Sequence, residues 1–157
     1  VYRGWMNAVA INRYLESRFQ QHDLEALHAF VASMATDRLN LFTGIFLHAG
    51  DRHIGNIKLG PINVHHGHAD IGLLIGESDC WGKGFASEAI GVLCDFAFAR
   101  IGLHRVTAGA YADNEASSRA FEKCGFVREG LLRSHWLVDG RFQDGVLLGK
   151  SNPGHTA

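Results

Sequence analysis

The sequence has little proline and no excess of charge of either sign. Only 2 of its 157 residues are proline and 46% are hydrophobic, which excludes collagenous, low-complexity and disordered chains and is typical of one globular domain. Lys and Arg total 15 against 16 Asp and Glu, so no basic field is available to hold nucleic acid or an anionic bilayer by bulk electrostatics. We therefore expect neither nucleic acid nor a membrane among its partners.

Cysteine and long apolar runs are also scarce. Cys80, Cys94 and Cys124 are odd in number and form no Cys-x-x-Cys pair, which indicates free thiols in a reducing compartment, so we expect a cytoplasmic protein. No apolar run approaches the roughly 18 to 20 residues of a membrane-spanning helix, and the first residues have no signal-peptide pattern. Because no first strand is recognisable, we expect the sequence to begin partway into its parent domain.

Hydrophobic periodicity predicts two helices, a three-strand meander, and then alternating helices and strands. Helical spacing is found over residues 6–19, after the N-cap residue Asp23, and over 86–101 and 114–124. Short β-like runs are found at 41–49, 53–59, 69–75, 104–111, 126–137 and 142–148. The strand at 104–111 follows a helical crossover and should run parallel to the strand at 69–75. The order ααβββαβαββ predicts one α+β domain over 1–150, with 151–157 as a tail.

The segment with the most chemical information is a strand that runs through a glycine-rich turn into a helix. Gly82 and Gly84 lack Cβ atoms, so several backbone N–H groups can face one point, and the helix N-terminus and Lys83 add attraction for an anion. The pattern predicts a pyrophosphate site, although a plain glycine-rich connector has the same composition. It is not a Walker A loop, because five residues separate Gly76 from Gly82 and Gly84 follows Lys83.

A dinucleotide fingerprint is the weaker interpretation of the same residues. It would use Gly82, Gly84 and Ser87 as the small residues and Asp113 as the ribose acid. That motif opens a βαβ unit at the start of a parallel sheet, whereas here it follows an antiparallel meander. The run of histidines over residues 65–68 has no helical pair and no nearby cysteine, so we expect a solvated turn and no metal site.

Two motifs resemble those of a known enzyme family. The segment Trp81-Gly82-Lys83-Gly84-Phe85-Ala86-Ser87-Glu88-Ala89 resembles the acetyl-CoA signature of GNAT-type N-acetyltransferases, especially the branch of ribosomal-protein N-terminal acetyltransferases. The segment from Asn114 to Phe126 is similar to the second signature of that branch and follows at the expected separation. The resemblance covers the chain from the first helix to about Lys150 and lacks the family's first strand.

The resemblance implies a GNAT-like fold with coenzyme A bound in its sheet. The fold would have a mixed, mostly antiparallel central sheet, splayed between its two parallel strands, with helices on both faces. Acetyl-CoA would be the cosubstrate, its pyrophosphate bound by N–H groups of residues 82–86 and its pantetheine arm paired with residues 73–75. The residues implied to hold it are Leu73, Leu74, Ile75, Trp81, Gly82, Lys83, Gly84, Phe85, Ala86, Ser87, Asn114, Ala116, Ser117 and Phe121.

Acetyl transfer to an amine needs a neutral amine, a stabilised oxyanion and a protonated leaving thiolate. A free N–H near Leu74 or Ile75 is our candidate oxyanion donor. Many relatives use a tyrosine at the position of Phe121, which has no proton to give, so Ser117 is our first candidate acid and Tyr111 our second. The candidate bases are Glu77, Asp70 and His135.

These observations predict an acetyl-CoA-dependent N-acetyltransferase that acts by direct transfer in a ternary complex. The acceptor would be a primary amine, on a protein N-terminus, a polyamine, an amino acid or an amino sugar, and the near-neutral charge favours a small one. Two alternatives stay open: a non-catalytic acyl-CoA binding or sensing module, which Phe121 favours, and a nucleotide-binding redox domain. The sequence leaves the oligomeric state open, with a homodimer among the options.

Overall fold

Six strands form one mixed sheet in the order β1-β2-β3-β4-β6-β5. The computed structural model describes residues 1–154. The strands are β1 (Leu41–Leu47), β2 (Arg52–Leu59), β3 (His68–Ile75), β4 (Arg105–Tyr111), β5 (Val127–Val138) and β6 (Arg141–Ser151). The helices are α1 (Tyr2–Asn7), α2 (Val9–Asn12), α3 (Leu24–Thr36), α4 (Phe85–Phe96) and α5 (Glu115–Lys123). The six predicted strands are confirmed to within three residues, and the predicted tail lies partly outside the described residues.

The sheet opens between its two parallel strands. β3 and β4 pair only where His68–Asp70 meets Arg105–Thr107. Beyond that point β3 stays paired with β2 as far as Ile75, and β4 stays paired with β6 as far as Tyr111. The C-terminal halves of β3 and β4 therefore diverge into a V-shaped opening, and the predicted splayed, mostly antiparallel sheet is confirmed.

Helices α4 and α5 cover one face of the sheet and enclose the main core. Ile90, Leu93 and Cys94 of α4 pack in one buried cluster with side chains of β2, β3, β4 and β6. Burial raises the pKa of the Cys94 thiol to about 11, as expected of a packing residue. After α4 the helix continues through one wider π-helical turn over Ala97–Ile101. It ends at Gly102, which has a left-handed φ of 77°.

The N-terminal elements lie on the opposite face, and here the sequence prediction is wrong. One helix over 6–19 was expected, but the chain forms α1, α2 and a short 3-10 turn, with extended backbone at Ala8 and Leu15. The amide of Asn12 donates to Met6 O at 2.7 Å, and that of Asn7 donates to two carbonyls. Such side-chain bonds to backbone compete with helix continuation. No helix among residues 1–154 is long and apolar enough to cross a membrane.

Candidate active site

The V-shaped opening presents unpaired backbone groups of β3. In an antiparallel pair, the backbone groups of alternate residues face the partner strand. Asp70 O accepts from Gly60 N at 2.8 Å, so Leu74, an even number of residues along β3, also faces β2. Leu73 and Ile75 therefore direct their N–H and C=O groups into the opening. The N–H of Leu74 faces β2, so the prediction that it is the oxyanion donor is wrong. The N–H of Ile75 faces the opening, and its role as the donor stays a prediction.

The indole of Trp81 occupies part of that edge. Its Nε1 donates to Ile75 O at 2.8 Å, while Trp81 as a whole is 48% exposed. The Ile75 carbonyl is thus already paired, and the groups left for an extended ligand are the Ile75 N–H and both backbone groups of Leu73. A ligand lying along β3 would pass directly beside the Trp81 ring.

The turn at residues 82–87 ends the opening with a set of unpaired N–H groups. Gly82 and Gly84 have left-handed φ values of 71° and 91°, and Gly84 is the N-cap of α4 without any side-chain cap. The first helical bond comes from Glu88 N to Gly84 O, at 3.0 Å. Within residues 1–154, the N–H groups from Gly82 to Ser87 have no protein acceptor. Unpaired N–H groups at the positive end of a helix dipole are a feature that suits an anion.

Helix α5 borders the other side of the opening. The side chain of Asn114 caps it by accepting from Ser117 N at 3.3 Å, and the Ser117 hydroxyl is half-buried with no hydrogen-bond partner in the described part of the chain. The Cys124 thiol donates to Ser87 O at 3.0 Å, which joins α5 to the first turn of α4. Phe121 is 2% exposed and packs on Phe126. Little of its surface is therefore open to a ligand, and its contact with the cofactor stays a prediction.

Glu77, the first candidate base, is already engaged. Its Oε1 accepts from Trp5 Nε1 at 2.9 Å, and its carboxylate pairs with Arg52, which also bonds Asp79 at 2.8 Å. The hydrogen bond from Arg52, with a smaller contribution from Trp5, holds the pKa of Glu77 below its usual range. A lower pKa makes Glu77 a weaker base, and its catalytic role stays a prediction.

Glu77→Gln is expected to change stability in a pH-dependent way. Since the folded-state pKa lies below the ordinary value of 4.5, the charged pair stabilises the fold above that pH and is lost as pH falls through the folded pKa. The urea midpoint difference between wild type and variant should be constant from about pH 7 to about pH 5 and shrink towards about pH 3. Glu25→Gln, on the first turn of α3, is the control. A difference that persists unchanged at the acid end would contradict the pairing.

An aromatic cluster extends the opening beyond the end of β4. Tyr111 is 4% exposed, with its ring centroid 4.4 Å from Trp136 and 5.4 Å from Tyr14. Its hydroxyl accepts from Arg18 Nη1 at 2.7 Å. His135, another candidate base, contacts the Trp136 ring at 4.9 Å. The cluster joins the N-terminal elements to the β5–β6 hairpin at the end of β4.

The candidate base Asp70 and the histidines of residues 65–68 lie away from the wide end of the opening. Asp70 lies at the closed end of the opening, where β3 and β4 still pair, and accepts from the Thr107 hydroxyl, so it is remote from the predicted thioester position. The rings of His66 and His68 stack at 6.1 Å, and residues 1–154 contain no group of three or more His, Cys, Asp or Glu placed to hold a metal ion.

The sequence prediction missed Arg18 and Tyr14. Arg18 reaches Tyr111 across 93 residues and the carbonyl of Leu137 across 119. Neither residue stands in a motif, and both fall in the segment predicted as one continuous helix. No local spacing signals contacts of this kind.

Comparison with known proteins identifies the family. A family model described as an acetyltransferase (GNAT) domain matches residues 1–127. An uncharacterized N-acetyltransferase, p20 of Bacillus licheniformis, is 37% identical over 94 residues, which are 60% of this chain and 52% of that protein. The ribosomal protein uS5-alanine N-acetyltransferase of Escherichia coli is 30% identical over 108 residues, which are 68% of this chain and 53% of that protein. The chain thus spans about half the length of these relatives.

A solved structure supports the same assignment. The spermidine N-acetyltransferase of Vibrio cholerae, in complex with CoA and spermine, superposes with a TM-score of 0.85 at 25% identity. The superposition covers 96% of this chain and 88% of that one. Because the family match extends from residue 1 to residue 127, the chain belongs to the acetyltransferase (GNAT) domain family.

Proposed function

We propose that the protein transfers the acetyl group of acetyl-CoA directly to a primary amine in a ternary complex. The observation that carries the proposal is the set of N–H groups from Gly82 to Ser87, which have no protein acceptor and stand at the end of the opening. Such groups suit a diphosphate. The family membership, the N-acetyltransferase relatives and the CoA-bound neighbour support the same cosubstrate.

The arm of the cofactor would then run along β3 towards Tyr111. Leu73 and Ile75 offer it backbone groups on one side, and Asn114 and Ser117 face it from α5 on the other. This path ends where β4 meets the aromatic cluster. The thioester would therefore meet an amine that enters between the N-terminal elements and the β5–β6 hairpin.

In the proposed reaction, separate groups stabilise the oxyanion, protonate the leaving thiolate and accept the proton of the amine. The amine nitrogen attacks the thioester carbonyl, and the Ile75 N–H stabilises the oxyanion of the tetrahedral intermediate. The C–S bond then breaks, and the Ser117 hydroxyl gives its proton to the leaving thiolate. The proton lost by the amine leaves through water to Glu77 or His135, and solvent returns one to Ser117.

The acceptor is proposed to be a small primary amine. The Vibrio cholerae neighbour is a spermidine N-acetyltransferase and the Escherichia coli relative a ribosomal-protein N-acetyltransferase, so both acceptor sizes occur among similar proteins. The near-neutral charge of this chain supplies no attraction for a ribosome. The ribosomal branch, the cytoplasmic location and the homodimer stay predictions.

Amine-dependent release of the coenzyme A thiol tests the proposal. Acetyl-CoA is incubated with the protein and a panel of amines, and thiol release and the acetylated product are measured together. We expect release only when an amine is present. Tight binding of CoA without turnover of any amine would favour the sensing module, for which the non-ionisable Phe121 is the specific observation. Thermal protection by NAD and none by CoA would favour the redox domain.

A further inference from the structure

A pocket with a mixed polar and apolar lining, which the proposed chemistry does not use, lies beyond Tyr111. It is an open pocket with a volume of about 400 Å³, lined by α2, the turn that follows it and the end of β5. Its lining includes Asn12, Arg13, Arg18, Phe19, Gln20 and Asp139. The pocket is joined to the aromatic cluster by Arg18, whose guanidinium reaches the Tyr111 hydroxyl.

Arg18 is held in place by uncharged oxygen atoms. Its Nη1 donates to Leu15 O at 3.0 Å and to the Tyr111 hydroxyl at 2.7 Å, and its Nη2 donates to Leu137 O. The guanidinium also stacks over the Phe19 ring at 4.3 Å. These contacts use three of the five N–H donors of an arginine. In the part of the chain that the structure describes, the other two have no acceptor and no carboxylate oxygen lies within 4.0 Å of the group.

The other charges near the pocket cancel or face elsewhere. Arg13 pairs with Asp139 at 3.2 Å, which neutralises both. Glu16 accepts from Trp136 Nε1 at 3.1 Å and does not line the pocket. Among residues 1–154, Arg18 is therefore the one cation lining this pocket that has no carboxylate partner.

We propose that the pocket binds a carboxylate carried by the acceptor, so that the substrate is a primary amine with an anionic group about one tyrosine side chain away from the reacting nitrogen. This rests on the proposed function. Arginine presents paired N–H groups that match a carboxylate, and Arg18 has two N–H groups left for one. Tyr111 spans the distance, since its backbone borders the opening and its hydroxyl contacts Arg18. A polyamine would instead place a positive charge against the guanidinium.

Matched acceptors with and without the carboxylate test the assignment. Glycylglycine, its C-terminal amide and spermidine are compared by kcat/KM at saturating acetyl-CoA. Wild type should prefer the dipeptide over its amide by roughly tenfold, the usual effect of one hydrogen bond to a charged group. Arg18→Gln should abolish that preference and Arg18→Lys should keep part of it. Arg100→Gln, which removes an exposed arginine that does not line the pocket, is the control and should retain the preference.

Several outcomes would overturn the assignment. They are equal turnover of dipeptide and amide, preference for spermidine, or an Arg18→Gln variant that slows every acceptor equally, which would make Arg18 a support for Tyr111 only. Restored turnover of the amide by added acetate would show that the anion is a separate ligand.

Absence of turnover with every amine would reject the proposed function, and binding would then decide this inference. Calorimetry on the CoA-bound protein would compare glycylglycine with its amide. Tighter binding of glycylglycine that is lost in Arg18→Gln would support the carboxylate site. Equal binding of the two ligands would reject it.

Discussion

Replacing Gly84 with valine is expected to weaken coenzyme A binding by at least about 100-fold. The loss of two hydrogen bonds to the charged diphosphate would raise the dissociation constant of coenzyme A by about this factor. Gly84 has a φ of 91°, and a Cβ there meets no protein atom within 4 Å, so a branched side chain would stand in the space proposed for the diphosphate. Relaxation to a negative φ would turn the N–H groups of the 82–87 turn away from each other. Isothermal titration with CoA measures the change.

Gly102→Val is the matched control for this substitution. Gly102 lies past the other end of α4, has a φ of 77°, and also has nothing within 4 Å of an added Cβ. Both variants should lose about 1–2 kcal/mol of stability from the left-handed backbone. Only Gly84→Val should lose CoA affinity. Equal affinities in the two variants would reject the 82–87 turn as the diphosphate site.

Ser117→Ala is expected to lower kcat about 100-fold, within the range of a general acid. The hydroxyl lies in the first turn of α5, half-buried and without a partner in the described residues, so it is available to a ligand in the opening. Because the Asn114 cap uses the backbone N–H of Ser117, the helix should remain and CoA affinity should change less than about threefold. Steady-state kinetics and CoA titration separate the two effects.

The neighbouring serine supplies the control. Ser118 is 1% exposed, and its hydroxyl has no hydrogen-bond partner within residues 1–154, so Ser118→Ala should leave kcat within about twofold and cost no stability. A Ser117→Ala variant with unchanged kcat would remove Ser117 as the acid. Loss of kcat in Tyr111→Phe instead would assign the role to Tyr111.

The features predicted correctly from the sequence are those set by neighbouring residues. The turn at Gly82 and Gly84 is one, because the left-handed φ values and the unpaired N–H groups follow from glycines at the start of a helix. The cap at Asn114 is another, since its side chain bonds within three residues. The parallel direction of β3 and β4 was expected from the crossover connection, whereas their divergence was expected only from the family resemblance.

The features that could not be predicted depend on contacts between distant segments. Whether Leu74 or Ile75 faces the opening is decided by the pairing of β3 with β2, which the sequence of β3 does not contain. Glu77 looked available because nothing nearby in the sequence signals its partners Trp5 and Arg52, 72 and 25 residues away. The continuous helix expected over 6–19 does not form, because the side-chain amides of Asn7 and Asn12 bond to backbone carbonyls there.

A crystal structure of the protein with acetyl-CoA tests the central claim most directly. We predict diphosphate oxygens about 3 Å from N–H groups of residues 82–87, with the arm along Leu73 and Ile75 beside the Trp81 indole. A diphosphate bound elsewhere, or an empty 82–87 turn at saturating acetyl-CoA, would contradict it.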